Sequence, residues 1–550
     1  MGASCCKDKF KKRAAMNKLF QGTLSTEPPS NKEYLNMKDE VPNTKNRRRQ
    51  RFSSFQEDDK EKYSKLGSLQ RRETYSRQSL PSGPLDNALR SSSHLLHLVS
   101  ELNRNIIQEQ DNNNFEYINW ELLKKQSGEI YWINKGKVSF TKEEIDKITH
   151  ISDNYLRNLS FLIKRVWAAW YLKSIISDNV VDNPYIIVSR NNILEDSLNQ
   201  FKTVKELNLK RAIHVFFIDE KANDVGGIYR EWFSCILREF FSEKRGLFVI
   251  NQNSGLGKHT IIINNNAEDN QTNVEFYEFF GKLIAKALID RTIFNENLNY
   301  VIIKQLLKRK INWEDIKYID LELYSSLDQL SKTVIKEPDL NLPFVWNIRD
   351  KKTKELIRIE LIKNGANIPI TEETKFLFLE KVAEFITYKN VQNKVDAICR
   401  GFDSLIPSEK INIFTIEEFD FLLSGQNEID LNDWQENTEY RGGYNEQSDT
   451  IKFFWEVLKE LPPEQLHTFF TFCTGSARAP INGFQGLQSS RNQIVKFCIE
   501  KKDYQKDKYC LISAQTCFNR IYLPDYKDKT ILKNNILTII TNDTNYFGIE

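Results

Sequence analysis

The residue whose surroundings most suggest covalent chemistry is Cys517, in the segment Ala514-Gln515-Thr516-Cys517-Phe518-Asn519, which is followed by Leu523, Pro524 and Tyr526. A cysteine thiolate is a strong nucleophile toward activated acyl carbons and needs no metal to act. No histidine stands near it in the sequence to serve as a paired base, so a Cys–His hydrolase is not indicated. A cysteine beside a phenylalanine also reads as a small core residue, and this segment alone leaves both readings open. The other cysteines, at positions 5, 6, 235, 399, 473, 498 and 510, form no CxxC pair. Their scatter suggests neither a zinc site nor a disulfide framework, and the expected interior is a reducing one. No metal is implied.

The elements that would hold Cys517 come from the last two thirds of the chain. From about residue 183 to the C-terminus, helical and strand patterns alternate without a long linker, and one short break stands at Ser424-Gly425-Gln426-Asn427. Gly226-Gly227 precedes a helical run and suggests a tight turn that glycine makes at low cost. Trp232, Phe233, Ile236, Leu237 and Phe240 then give an apolar helix face suited to packing. Arg478, between Gly475 and Pro480, reads as a buried anchor or a helix cap.

The N-terminal region has a different texture. Residues 1–95 hold 20 Lys/Arg against 11 Asp/Glu, a charge of +9 that leaves −6 for the remainder of a chain whose total is +3. A basic tail on a mildly acidic body suggests an anionic surface as its partner, or simply a solvated disordered tail. Nucleic acid is not an expected partner. Gly2, Cys5 and Cys6 lie beside Lys7, Lys9, Lys11, Lys12 and Arg13, a candidate acylation site in which a second acyl chain would make membrane attachment stable. No secretory signal and no spanning apolar run is read, so the expected location is the cytoplasm, with attachment to its membrane face if the tail is acylated. Residues 22–92 are poor in large apolar side chains and read as disordered. Residues 117–140 read as short strands turning at Ser127-Gly128 and Lys135-Gly136. The run Trp120 to Asn134 resembles the front half of a WW domain, but Phe140 stands where the second Trp would be and the closing Pro is missing, so a bare hairpin is expected. Residues 155–177 show a helical apolar stripe broken by Lys164, Arg165 and Lys173, a basic amphipathic helix for packing on a neighbour or on a membrane.

Seven motifs in order carry a family resemblance. They are Asp224-Val225-Gly226-Gly227 with Arg230-Glu231-Trp232-Phe233; Gly281 to Leu288; Asn364-Gly365 to Thr371; Asn437 to Tyr440; Gly442-Gly443-Tyr444; Phe472 to Pro480; and Thr516-Cys517-Phe518-Asn519-Arg520 with Leu523-Pro524 and Tyr526. Residues 183–550 resemble the catalytic module of HECT-type ubiquitin ligases. The resemblance implies a mixed α+β, bilobal fold: a mainly helical N-lobe over 183–425, a hinge at Gln426, Asn427 and Glu428, and an α/β C-lobe over 429–550. Ahead of it lie the basic tail, 1–95, and the hairpin-and-helix segment, 96–182. The resemblance assigns Cys517 as acceptor of ubiquitin in thioester linkage, Thr516 and Asn519 as shapers of its loop, and Phe547 as the residue that orients the acceptor lysine. It places Leu323, Leu327 and Phe378 in an apolar groove for an E2 ubiquitin-conjugating enzyme. Ubiquitin, an E2 and protein substrates are the implied partners, and no cofactor is implied. Gln515 stands where many family members have His, and glutamine can hydrogen-bond but cannot titrate. Two other functions stay in view: a noncatalytic scaffold for E2 or ubiquitin, and an adaptor tethered to membrane through its tail.

Overall fold

A computed structural model describes residues 115–124, 130–176, 183–218, 220, 227–256, 258–335, 342–349, 355–426, 428–476, 478–487, 494–502 and 511–542. Its apolar side chains gather into three cores: a large one from Ile118 to Leu423, a second within Trp313–Ile386, and a third from Trp434 to Ile536.

The large core includes the segment that precedes residue 183. Strands β1 (Phe115–Lys124) and β2 (Ile130–Phe140) form an antiparallel pair. The second turn expected at Lys135-Gly136 is not a turn. β2 runs straight through it, and the register shifts between Ile118 and Trp120 on the facing strand. Gly136 takes φ +97°, with its N–H on Asn134 Oδ1 at 2.8 Å, so the extra residue is absorbed as a bulge. Helix α1 (Lys142–Thr149) starts with a capping box between Thr141 and Glu144. Helix α2 (Phe161–Ser174) packs on the hairpin and the body, so 96–182 is no separate unit over its described part. Trp132 stacks on Phe421 with ring centres 4.5 Å apart, and Phe161 and Trp120 lie edge-on or tilted to the same ring. Lys173 is exposed, but the other two basic residues of α2 break the amphipathic expectation. Lys164 and Arg165 are only 2% and 4% exposed. Lys164 Nζ meets the Glu418 carboxylate at 2.9 Å, and Arg165 Nη1 donates to Ile118 O at 2.7 Å. Both cations find hydrogen-bond acceptors, but only Lys164 finds a counter-charge.

The body itself is built from helices α3 (Ile193–Thr203), α4 (Gly227–Phe240), α5 (Gln271–Ile289), α6 (Tyr300–Leu306), α9 (Gln392–Leu405) and α10 (Ile416–Ser424), with parallel β3 (Tyr185–Val188) and β4 (His214–Phe217) and antiparallel β5 (Phe248–Asn251) and β6 (Thr260–Ile263) at its surface. Helices α5 and α9 cross at two glycines. A Cβ on Gly281 would stand 1.9 Å from Ile398 O, and one on Gly401 would stand 1.8 Å from Glu278 O. Only glycine lets these backbones approach so closely.

The second core belongs to a subdomain inserted between α6 and α9, with helices α7 (Leu321–Lys332) and α8 (Lys375–Thr387) and the antiparallel pair β7 (Val345–Arg349) and β8 (Leu356–Glu360). The third core belongs to the C-terminal lobe. There a four-stranded sheet in the order β11–β12–β10–β9 is packed by α11 (Leu431–Glu436), α12 (Asp449–Glu460), α13 (Pro463–Thr474) and α14 (Lys529–Asn542). β10 (Phe497–Lys502) is parallel to β9 (Thr438–Arg441) and to β12 (Arg520–Pro524), while β11 (Ser513–Gln515) runs antiparallel to β12 at the sheet edge. Trp434 is fully buried there, stacked on Phe484 with ring centres 5.1 Å apart. Among the described residues, no helix is long and apolar enough to cross a membrane.

Candidate active site

Cys517 lies in the reversal that joins β11 to β12. Its backbone is the middle of a 3₁₀ turn, Thr516–Phe518, closed by Asn519 in the left-handed region at φ +48°. Asparagine tolerates that conformation better than most residues. Asn519 is fully buried, and both its backbone and its amide are used. Its N–H donates to Thr516 O at 3.2 Å and its carbonyl accepts from Cys498 N–H at 2.9 Å, which fastens the turn to β10. Its Nδ2 donates to Val495 O at 2.9 Å, and its Oδ1 accepts from Arg230 Nη1 of α4 at 3.2 Å. The loop that carries Cys517 is therefore held from both lobes. Arg230 was visible in the sequence as part of a motif, but its partner lies 289 positions away and has no local signature.

Thr516 is half-buried against the C-terminus of α13, where a Cβ on Gly475 would come 3.6 Å from Thr516 Cβ. Gly475 sits at φ +72° and ends that helix. Gln515 is exposed, and its Oε1 accepts from Tyr522 OH at 3.0 Å. Phe518 lies beneath the Arg520 guanidinium, 6.0 Å from it, and Arg520 Nη1 pairs with Glu500 at 3.0 Å.

The other cysteines of the described core are unsuited to nucleophilic work. Burial pushes the Cys235 and Cys498 thiols up, lifts Cys399 to about 12 and raises Cys473 well above its ordinary value. Each would be a protonated, poorly reactive thiol at neutral pH. Among the described residues, no cluster of three or more His, Cys, Asp or Glu could hold a metal ion.

The break between the lobes is pinned. Gly425 takes φ +73°, and a Cβ there would meet Ala479 O at 2.6 Å. Gln426 is buried, with its N–H on Ala479 O at 3.0 Å and its Nε2 on Pro480 O at 2.7 Å, while Glu428 is exposed. Arg478 Nη2 donates to Asn297 Oδ1 of the N-terminal body, so the sequence's buried anchor is an interlobe contact. From the hairpin, Trp120 Nε1 donates to Ile481 O at 2.7 Å.

Two of the three groove residues prove to be core. Leu327 and Phe378 are 0% exposed, packed among Leu330, Phe344 and Val382, and Leu323 is half-buried at the edge of that cluster. Their apolar spacing on α7 and α8 marks the face that closes the subdomain, so a partner cannot reach the first two. The apolar side chains the subdomain leaves exposed nearby include Phe376 and Leu377 on α8, Leu321 on α7 and Val334. Asn427, Phe547, Gly2, Cys5 and Cys6 lie outside the described residues.

The sequence that builds the C-terminal sheet and the Cys517 loop falls within a stretch matched by a family model. The family described as HECT-domain (ubiquitin-transferase) matches residues 234–550, more than half of the chain. The chain belongs to the HECT family. It is similar to the E3 ubiquitin-protein ligase RSP5 of Emericella nidulans, 32% identical over 368 residues, which cover 66% of this chain and 43% of that relative. It is likewise similar to the E3 ubiquitin-protein ligase pub1 of Schizosaccharomyces pombe, 33% identical over 368 residues, covering 66% of this chain and 46% of that one. The HECT match thus spans less than half the length of these relatives.

Proposed function

We propose that this HECT protein is an E3 ubiquitin-protein ligase that carries ubiquitin as a thioester on Cys517. The observation that carries this reading is the anchoring of the Cys517 turn through Asn519, while burial leaves Cys235, Cys399, Cys473 and Cys498 unreactive. In the first step the Cys517 thiolate attacks the carbonyl of an E2-bound ubiquitin thioester, and the E2 thiolate leaves. One thioester replaces another of similar energy, so the demand falls on positioning, which the rigid turn supplies. In the second step a substrate lysine amine attacks, an amide forms, Cys517 departs as thiolate and the amine's proton is released. Thr516 shapes the turn against α13, and Phe547 orients the acceptor lysine. Gln515, held by Tyr522, adds a hydrogen-bonding group but no titrating one.

The E2 docks on the inserted subdomain, where exposed Phe376 and Leu377 with half-buried Leu323 form the apolar contact and Leu327 and Phe378 support it from within. Gln426 to Glu428 serve as the hinge on which the C-terminal lobe, about 429–550, swings between E2 and substrate. The protein works inside the cell, and acyl chains on Gly2 and on Cys5 or Cys6 would hold it to the cytoplasmic face of a membrane; membrane fractionation of a Gly2→Ala variant tests that point.

The test of the activity is a single-turnover transfer assay with E1, a panel of E2 enzymes and labelled ubiquitin, run on gels with and without reductant. A reductant-sensitive adduct that vanishes in Cys517→Ala is expected. An E2 that binds but never charges the protein would make it a scaffold instead.

A further inference from the structure

A cavity of about 160 Å³ opens where the hairpin, α2 and the two lobes meet, lined among others by Tyr117, Arg165, Arg230, Arg291, Arg478 and Asp290. That volume is far above the roughly 10–15 Å³ that admits a single water. Four guanidiniums thus face one carboxylate, and the carboxylate is already committed. Asp290 takes the Lys286 ammonium at 2.6 Å and the Tyr229 hydroxyl at 2.5 Å.

The charges on the walls are unequally balanced. Arg478 feels the nearby Asp420 and Glu296 carboxylates, and Arg230 is occupied with Asn519. Arg165 has only neutral partners, Ile118 O at 2.7 Å and Asn482 Oδ1, and no carboxylate pairs with it among the described residues. It is 4% exposed, and burial together with the charge of Arg291 lowers it to about 10. A buried cation lacking a counter-charge is among the costliest arrangements a fold can hold. Arg291 sits at φ +52°, a backbone conformation that side-chain-bearing residues rarely adopt. Arg291 is exposed at the mouth of the cavity, its guanidinium makes no hydrogen bond or ion pair among the described residues, and its charge acts on both Arg165 and Tyr117. The Tyr117 ring lies 5.9 Å from the Arg165 guanidinium, and its hydroxyl has no hydrogen-bond partner among the described residues. A buried guanidinium without a counter-charge, a second, solvent-exposed guanidinium without an ion pair, and an unused phenol donor thus meet in one space large enough for a ligand.

We infer that this cavity binds a phosphate-type dianion through Arg165, Arg291 and the Tyr117 hydroxyl. Charge −2 matches the two unpaired cations, and guanidinium forks suit the oxygens of a tetrahedral oxyanion. The bound anion ties the hairpin, α2 and the N-terminal body together at the face that meets the C-terminal lobe. It reaches the site as a free phosphate or as the phosphate of a modified side chain, and the two sources share this recognition chemistry.

The test follows thermal unfolding and titration calorimetry of the full chain, in phosphate-free buffer at fixed ionic strength, as inorganic phosphate replaces chloride. A saturable rise in Tm is expected. Arg291→Gln should weaken binding about tenfold by removing one charge-assisted contact. Tyr117→Phe, which keeps the ring and loses only the hydroxyl, should weaken it severalfold with the unliganded Tm unchanged. Free O-phosphoserine is the second probe: binding as tight as phosphate supports delivery on a side chain, and phosphate binding alone supports the free anion. No saturable rise with either probe, or identical responses from wild type, Arg291→Gln and Tyr117→Phe, overturns the site. These readouts are independent of ubiquitin transfer, so an inactive ligase would leave the result standing.

Discussion

At the scale of single residues, Asn519 holds more of the Cys517 loop than Cys517 itself does. Its side chain donates a hydrogen bond to Val495 O and accepts one from Arg230, and its backbone occupies the left-handed region. Asn519→Ala should lose both bonds, about 1 kcal/mol for the neutral one and somewhat more for the charged one, and should add roughly 1–2 kcal/mol of backbone cost. Asn519→Gly loses the same bonds without the backbone cost. Urea unfolding of the C-terminal lobe should therefore rank wild type above Gly and Gly above Ala, and both variants should charge with ubiquitin more slowly. Equal stability of the two variants would show that the positive φ carries no strain. Cys517, Thr516 and Asn519 were legible in the sequence because they lie side by side in a motif. Arg230 was legible as a motif residue but not as a partner of Asn519, since a contact between lobes leaves no periodic trace.

At the scale of elements, the helices were legible where glycine or apolar spacing dictates packing, and misread where both faces of a helix are used. Gly281 of the long helix stood in the sequence as a motif, and the structure supplies its reason in the crossing with Gly401. Gly401→Ala forces a Cβ against a backbone carbonyl that no rotamer change relieves, so the loss should reach about 3 kcal/mol, the upper end of overpacking costs. Thermal unfolding of the variant checks this, and a Tm within a degree or two of wild type would refute the close crossing. Leu327 and Phe378 show the opposite case: an apolar stripe identifies the buried face of a helix but not which neighbouring positions stay open. Lys164 and Arg165 escaped as well, because a basic side chain at a core position betrays itself only through acceptors far along the chain. At the end of β12, Asp525 links three elements, with Lys501 at 2.8 Å, Thr450 Oγ1 at 2.7 Å and Lys527 at 2.8 Å. The hydrogen bonds from Lys501 and Lys527 hold its carboxyl well below the usual range. A depressed carboxyl contributes stability above its unfolded value near 3.9 and loses it as pH falls toward the folded value. Asp525→Asn should thus be less stable than wild type at pH 7, with the gap closing as pH falls below about 4. Tm curves that stay parallel down to pH 3 would exclude this linkage.

At the scale of the whole molecule, the two lobes meet through a few hydrogen bonds and the packing of Ile481 on the first lobe's core, while the hairpin joins the first lobe through that apolar core. Arg230–Asn519, Arg478–Asn297, Gln426 with Ala479 and Pro480, Arg165–Asn482 and Trp120–Ile481 are all hydrogen bonds, the neutral ones worth about 1 kcal/mol net each and those from arginine somewhat more. Trp132 against Phe421 is a stacked aromatic contact buried just before the hinge. The hairpin is therefore a fixed part of the first lobe that reaches across the hinge to hold the second. Trp120→Phe isolates this function, because it keeps an aromatic ring against Phe421 and removes only the bond to Ile481 O. One hydrogen bond of about 1 kcal/mol corresponds to roughly a fivefold change in the population of the separated lobes. Amide exchange at residues 478–487 should then quicken about that much, and transfer from Cys517 to lysine should quicken if lobe movement limits it. Gln426→Pro acts in the other sense on the hinge itself, since proline fixes φ and deletes the N–H that Ala479 accepts. It should slow transfer while E2 binding to the subdomain stays close to wild type. Should Trp120→Phe leave exchange at 478–487 unchanged, the hairpin would be a structural part of the first lobe with no hold on the second, and the lobes would be restrained by the hinge contacts and the arginine bonds to Asn519, Asn297 and Asn482.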